Sequence, residues 1–468
     1  MANAKKTSSR RYPKTNAAKL KPQDCTLGLS VVHPKAAGID VGNGEHYVAV
    51  PPQLDEEPVR RYGCFTRDLV ALAEWLQKCG IETVAMQSTG VYWITLYDIL
   101  EERGMKVFLV NARDTKNVPG RKTDVQECQW LLKLHVYGLL RNSFRPPEEI
   151  RVMRTLWRQR QQHIADAARC VQRMQKALTQ MNVQLANVIS DICGKTGRAI
   201  LRAILAGERD AKKLARLRDP GIKASQEMIA RSLEGNWREE LLFVLRQEFQ
   251  LYGQFHKMAD ECDQELERHF HTLEAKADPT TLEELTRNKR PRGHVPENMD
   301  LRAELYRLTG KDLTKIESIN VLTAQTVIAE VGYEVSRWPT EDHFVSWLNL
   351  APRNKISGGK VVGRDGRKVV NRAGQALRQA VTSLLHSNSY LGAQYRRLRA
   401  KLGPVKAAKA MAAKVARLIY RMLKYGEEFV SKGAAVYEEK YRQQQIKTVM
   451  KKATELGLTV MVSTPAQV

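Results

Sequence analysis

The sequence is poor in the patterns that bind soft metals or staple a chain. Its 468 residues hold seven cysteines, with no C-x-x-C pair and no metal-ligand spacing. The ten histidines form no H-x-x-x-H cluster. These spacings argue against a structural zinc site, and reduced cytosolic thiols are the simplest account. No apolar run approaches the ~18 residues that cross a bilayer. The start of the chain is rich in Lys and Ser with no apolar stretch behind it, so the expectation is a soluble, cytoplasmic protein without a signal peptide. Acids are also short: 51 Asp and Glu against 76 Lys and Arg leave a formal charge of +25. A surplus that large favours a polyanionic partner. A basic ribosomal or membrane-surface protein would share it, so charge indicates a class and no mechanism. At 43% hydrophobic residues the chain can bury the cores of two or three domains.

What is present begins at Ala37-Gly38-Ile39-Asp40-Val41-Gly42, followed by His46-Tyr47-Val48-Ala49-Val50. The pattern predicts a strand, a tight turn over Gly42 to Glu45, and a second strand. Asp40 interrupts an apolar strand, and a carboxylate there is costly unless it is paired or binds a cation. A turn-capping Asp beside two glycines is the plainer reading. Two later stretches bear on it: Val84-Ala85-Met86-Gln87-Ser88-Thr89-Gly90-Val91-Tyr92-Trp93 and Gly120-Arg121-Lys122-Thr123-Asp124-Val125-Gln126-Glu127. Asp124 and Glu127 are three apart at the start of a predicted helix, which puts them on one face. Acids also favour a first helical turn through its dipole alone.

Together with Pro352-Arg353-Asn354-Lys355-Ile356-Ser357-Gly358-Gly359-Lys360 far downstream, these stretches resemble the DEDD-type transposases of bacterial insertion sequences. That family includes the bridge-RNA-guided recombinases. The resemblance spans roughly residues 30–145 and 310–425. It implies a RuvC-like (RNase H-fold) catalytic domain with an Asp on the first strand, a Glu before Ser/Ala-Thr-Gly-Val-Tyr-Trp, and an Asp-x-x-Asp pair after Lys-Thr. Asp40 and Asp124 match. Glu127 stands where the family has its second Asp, which keeps the charge. Gln87 stands where the family has Glu, which removes a charge and leaves an amide oxygen able to ligate. Hard oxygen donors of this kind suit Mg²⁺ or Mn²⁺, and a pair of such ions can stabilise both oxygens of a phosphoryl transfer. The resemblance also implies that Ser357 is the nucleophile, that metal ligands and serine come from different protomers of a dimer to tetramer, that an RNA encoded by the element guides the choice of donor and target DNA, and that the protein joins the nucleoid while it acts. The residues themselves show the serine only as a turn residue in a basic loop, with no histidine nearby to activate it.

The expected fold is an α/β RNase H-like domain, then long coiled-coil helices, then a mostly α-helical C-terminal domain. Residues 1–29 read as a disordered basic arm. Residues 30–147 alternate strand and helix signals: a third strand over Arg60 to Phe65, a helix over Arg67 to Lys78, a strand over Thr83 to Met86, a helix over Trp93 to Arg103, a strand over Lys106 to Val110, and a helix over Asp124 to Leu139. In 148–275 a heptad register runs from Ile150 to Ile192, with only Arg160 and Ala167 not large and apolar, and a second runs from Leu241 to Leu273. The two can pair within one chain or mate with another protomer. Residues 276–309 read as a mobile linker with a basic loop at Arg287 to His294.

In 310–430 the pattern predicts helices around Leu313 to Glu330, Phe344 to Leu350, Arg372 to Ser387 and Lys406 to Tyr425. Between them lies a small hairpin over Lys360 to Val370 that turns at Asp365-Gly366. Residues 431–468 read as a polar tail. From Arg396 to Lys424 no acid interrupts the bases, so Arg396, Arg397, Lys406, Lys409, Lys414, Arg417 and Arg421 are expected to contact phosphate, with Arg353, Lys355 and Lys360 around Ser357. The reading is of a DNA recombinase. The alternatives are a metal-dependent RuvC-like nuclease or junction resolvase that uses water, and a catalytically silent nucleic-acid-binding protein, which Gln87 favours.

Overall fold

The computed structural model describes residues 30–87, 90–111, 115, 123–283, 294–352, 354–364, 371–426 and 428–459. Several expectations fall outside them: the N-terminal arm, Ser88-Thr89, Gly120-Arg121-Lys122, most of the Arg287 to His294 loop, Arg353 and the Asp365-Gly366 turn. The chain divides into two compact units, one ending at Arg145 and one starting at Pro146.

The first unit is built on a five-stranded sheet in the order β3-β2-β1-β4-β5. Strand β1 (Ala36–Val41) pairs antiparallel with β2 (Glu45–Ala49), and β2 pairs antiparallel with β3 (Val59–Gly63). The turn between β1 and β2 closes where Gly42 N–H donates to the Glu45 carbonyl at 3.1 Å. Helix α1 (Thr66–Lys78) leads to β4 (Thr83–Gln87), parallel to β1, and α2 (Trp93–Glu102) leads to β5 (Lys106–Val110), parallel to β4. Helix α3 (Asp124–Val136) follows and ends before Gly138, whose φ of 66° a side chain would resist. This mixed sheet with flanking helices is an RNase H-like fold.

The two faces of the sheet are dressed differently. Ile39, Val41, Val48, Val84, Met86, Val107 and Leu109 bury large side chains against Leu69, Leu72 and Leu76 of α1 and Leu96 and Leu100 of α2. The opposite face offers Ala36, Ala49 and Ala85 to Cys128, Leu131 and Leu132 of α3. Small residues there bring the helix down close to the strands. Gly38 is the extreme case: a Cβ on it would lie 2.4 Å from the Cys128 carbonyl oxygen and 2.3 Å from the Leu132 nitrogen. Only glycine permits this backbone-to-backbone approach.

The second unit is helical apart from one hairpin. Helix α4 (Glu148–Gln180) runs antiparallel to a later, equally long helix, named α8 below. The first heptad register therefore breaks at Met181, not at Ile192 as expected. Asn182 takes a positive φ of 55°, and the chain beyond is held elsewhere, Gln184 N–H donating to the Ser232 carbonyl at 2.7 Å. Helices α5 (Lys195–Leu205), α6 (Ala211–Ala215) and α7 (Gln226–Ser232) form a head over this end of the hairpin. Its core joins Met174 and Leu178 to Ile200, Ile204, Leu214, Ile229 and Leu245. The second long helix, α8 (Glu239–Thr272), then returns along α4.

Arg160, the polar residue of the seam, is explained by this pairing. It meets Asp263 of α8 at 2.5 and 3.0 Å, both side chains almost fully buried, and also donates to the His294 carbonyl at 2.8 Å. Burial pushes the Asp263 carboxyl up, against the pull of the guanidinium. The two registers thus pair within one chain.

Helix α9 (Leu301–Thr309) precedes α10 (Val321–Val331), which is fastened to the base of the long hairpin. Trp157 donates to Thr326 at 3.0 Å, and Arg158 grips Glu330 with two bonds of 2.8 and 2.7 Å. The hairpin and the C-terminal helices, which read as separate segments, share one compact unit for this reason. The pair of helices expected over Leu313 to Glu330 is instead a single 3₁₀ turn followed by α10. Helix α11 (Glu341–Trp347) follows, and then strands β6 (Asn354–Ser357) and β7 (Lys360–Arg364). Helices α12 (Arg372–Ala380), α13 (Tyr390–Leu402) and α14 (Pro404–Tyr425) pack together, and Tyr420 of α14 donates to the Trp338 carbonyl at 2.7 Å. The supposed polar tail opens with α15 (Glu428–Glu455). Among the described residues, no helix is long and apolar enough to cross a membrane.

Candidate active site

Residues two apart on a strand share a face. Gly38 lies under α3, so Asp40 is on the α3 side too. Strand β4 pairs in parallel with β1, Ile39 opposite Met86. One residue further along each strand stand Asp40 and Gln87, neighbours at the carboxyl ends of adjacent parallel strands. Gln87 shares the face of Ala85, which packs beneath Leu131 of α3. Two of the predicted residues thus come from the sheet.

The other two come from above. Thr123 caps α3, its hydroxyl accepting from Gln126 N–H, and this sets Asp124 and Glu127 in the first turn. The chain direction brings that turn towards Asp40: Ala36 packs near Leu132, Gly38 touches Cys128 and Leu132, and Asp40 comes next along the strand. Cys128 records the convergence. Its thiol is pushed up to about 12, chiefly by burial, then by the Asp40 carboxylate, with Asp124 adding to it. Asp40 is half-buried, Glu127 likewise, and Asp124 is exposed.

Gln87 is 5% exposed, and its amide nitrogen donates to the Thr115 hydroxyl at 3.3 Å. Thr115 is itself buried. Nothing in the sequence singled out Thr115 or Cys128. Gly38 carried a legible signal, since a glycine inside an apolar strand marks a close approach.

The carboxylate and amide oxygens suit a hard divalent cation. Among the described residues, however, no three His, Cys, Asp or Glu side chains gather closely enough to cage an ion. The arrangement is two converging carboxylates, with a third on the same helical turn.

Ser357 ends β6 in the second unit and is exposed. It pairs with Lys360 across a two-residue turn, Gly358-Gly359, at φ of 54° and 75°. Both central residues have positive φ, as a primed hairpin turn requires, so the two glycines are explained by the turn itself. A hairpin turns here, with Lys360 to Arg364 as its second strand; the turn expected at Asp365-Gly366 lies outside the described residues. Lys355 and Lys360 are exposed beside the serine.

The basic run separates in space. Arg421 is clamped on Glu341 at 2.5 and 2.7 Å, and Arg417 reaches Asp342 at 2.8 Å. The acids missing from the run are supplied by α11, some 80 residues upstream in sequence. Arg396 spends its Nη1 on the Leu385 and Ser387 carbonyls, and Arg397 bonds the Ala393 carbonyl. Lys409 and Lys414 are pulled down, mainly by burial and next by neighbouring arginines. Lys406 stays exposed.

The sheet order defines an RNase H-like fold, with Asp40 at a strand end and Asp124 and Glu127 in the first turn of α3. Two family models extend this. One, described as Transposase of the DEDD IS110 type, matches residues 37–183. The other, Transposase IS116/IS110/IS902 family, matches residues 310–396. The chain belongs to the IS110-type transposase family, whose members bind DNA and cleave and rejoin its strands. No curated protein sequence matches it.

Proposed function

We propose that this transposase moves an insertion sequence by a serine-linked recombination, with Ser357 as nucleophile and an RNA from the element as guide. The observation that carries the reading is the serine's setting: exposed, at the end of a strand, beside a two-glycine turn, between Lys355 and Lys360. The Ser357 oxygen attacks a DNA phosphorus and its proton is lost. The bond from phosphorus to the departing sugar oxygen breaks, and that oxygen takes up a proton. A phosphoserine ester then holds the strand end. Attack by the hydroxyl of another strand reverses the step and frees the serine, so no outside energy is needed. Lys355 and Lys360 offset the phosphate charge, and Arg353 joins them in this reading.

Asp40, Asp124 and Glu127, with Gln87 through its amide oxygen, would hold Mg²⁺ or Mn²⁺. Such an ion supplies positive charge to the oxygens of the reacting phosphate. In this reading the metal ligands and the serine come from different protomers of an oligomer, as the family resemblance implies. The phosphate contacts narrow to Lys406 and the serine hairpin, with Arg417 and Arg421 committed to α11. In this reading the protein acts in the cytoplasm, on the nucleoid.

The test is to trap the protein on DNA carrying the element's ends, with its RNA. A covalent adduct mapping to the Ser357 peptide, and lost in Ser357→Ala while DNA binding persists, is the expected result. A phosphate ester at another hydroxyl refutes the nucleophile. Efficient cleavage by Ser357→Ala hands the chemistry to water and makes the chain a nuclease.

A further inference from the structure

The head at the far end of the long hairpin holds a cleft that the recombination chemistry does not use. It is an open cavity of about 420 Å³ lined by Asn182, Arg209, Glu234, Gly235, Asn236 and Trp237, among others. Its floor is an aromatic–guanidinium pair: the Arg209 guanidinium carbon is 5.1 Å from the centre of the Trp237 ring. Arg209 is braced through Nη1, which donates to the Ile204 carbonyl at 2.5 Å and the Glu208 carbonyl at 2.9 Å.

The wall is rigid. Asn236 N–H donates to the Met181 carbonyl at 2.9 Å. A Cβ on Gly235 would lie 2.4 Å from that carbonyl oxygen and 2.7 Å from Val183, so the loop presses onto the end of α4 in a way only glycine allows. Trp237 is half-buried, one part of it packed on the head core. Asn236 is exposed. Over residues 195–238 there are eleven Lys and Arg against five Asp and Glu.

We propose that this cleft binds the base of an unpaired nucleotide. Every base has a π-face, and stacking on an aromatic ring or a guanidinium plane is how single strands are held. The cavity lies within the size range of small-ligand sites. The basic head draws the phosphates, and the Asn236 amide offers both a donor and an acceptor to a base edge. A duplex cannot enter, because its bases are stacked on one another. The proposal rests on the reading of the chain as a nucleic-acid recombinase, but its readout is binding alone, so a failed Ser357 assignment leaves the result standing.

The experiment uses the full chain and three fluorescent probes of one sequence: single-stranded RNA, single-stranded DNA and duplex DNA. Trp237→Leu removes the ring, and Trp237→Phe keeps an aromatic face. Leu should weaken single-strand binding about 5- to 150-fold, the loss of one stacked base, while Phe retains most of the affinity. Duplex binding should not change, and neither should the salt dependence of single-strand binding, since no phosphate contact is removed. A loss confined to RNA names RNA as the source of the nucleotide, and one confined to DNA names DNA.

Single-strand binding by Trp237→Leu equal to wild type overturns the proposal, as does an equal loss on single strands and duplex. Should the variant not fold, photo-cross-linking of a thiouracil-bearing strand to the wild-type protein decides. Attachment within the tryptic peptide ending at Arg238 is expected, and cross-links found only elsewhere refute the site.

Discussion

Replacing Gly38 with Ala is the sharpest probe of the first unit. A Cβ there would sit 2.3 Å from the Leu132 nitrogen and 2.4 Å from the Cys128 oxygen, both backbone atoms. Ordinary contact begins near 3.4 Å. No rotamer change relieves a clash between backbones, so α3 must retreat by about 1 Å. Overpacking of this kind costs about 1–3 kcal/mol. The smaller entropy of the unfolded chain returns only ~0.4–1 kcal/mol, so a net loss remains. Thermal unfolding should fall by roughly 2–10 °C.

Catalysis should suffer more than stability. Asp124 and Glu127 ride on α3, whereas Asp40 and Gln87 stay with the sheet, so the retreat separates the proposed metal ligands. A misplacement of about 1 Å costs on the order of 100-fold in rate. The assay is cleavage of DNA bearing the element's ends, beside a binding assay with the same DNA, which should be nearly unchanged. Wild-type cleavage by Gly38→Ala, with its α3 shift visible in the unfolding temperature, would show that the α3 carboxylates take no part.

Gln87→Glu should place a second acid beside Asp40 in a 5% exposed position, lowering the unfolding temperature in chelator and regaining it in Mg²⁺; equal behaviour in both solutions detaches this position from any ion. Asp263→Ala should strand a buried guanidinium and cost about 3–5 kcal/mol, whereas Arg160→Met with Asp263→Leu should recover most of it; denaturant midpoints measure both, and a single variant as stable as wild type refutes the pairing. His135 is held neutral by burial, with next the charge of His33, down to about 4 from 6.5. As pH falls through that window the unfolded chain takes up a proton that the folded chain refuses. Stability should therefore drop by about 3 kcal/mol towards pH 4 and rise again with pH up to 6.5. His135→Gln should flatten that slope in denaturant midpoints taken across the window, and a flat wild-type curve would count against it.

Much of the fold was legible because its signals are local. Short apolar runs bounded by turn residues placed the strands of the first unit to within a residue or two, and two acids three apart marked the start of α3. The heptads from Ile150 and from Leu241 identified two long helices, since a repeated seam is written in every turn. Ser357-Gly358-Gly359 carried its own turn type, and the Lys360 to Arg364 strand that follows it was read as a strand from the sequence. What tertiary structure alone decided were pairings between distant residues. Asp40 points to α3 only because Gly38, two residues away, lies under Cys128. Arg417 and Arg421 look like free cations along the chain, yet Glu341 and Asp342 neutralise them across α11 and α14. Arg160 looks like a fault in its heptad until Asp263, 103 residues on, is buried against it. Periodicity and turn chemistry act over a few residues and so leave a trace in order of sequence; charge pairing and close packing act over a few ångströms of space, and the chain must fold before those neighbours exist.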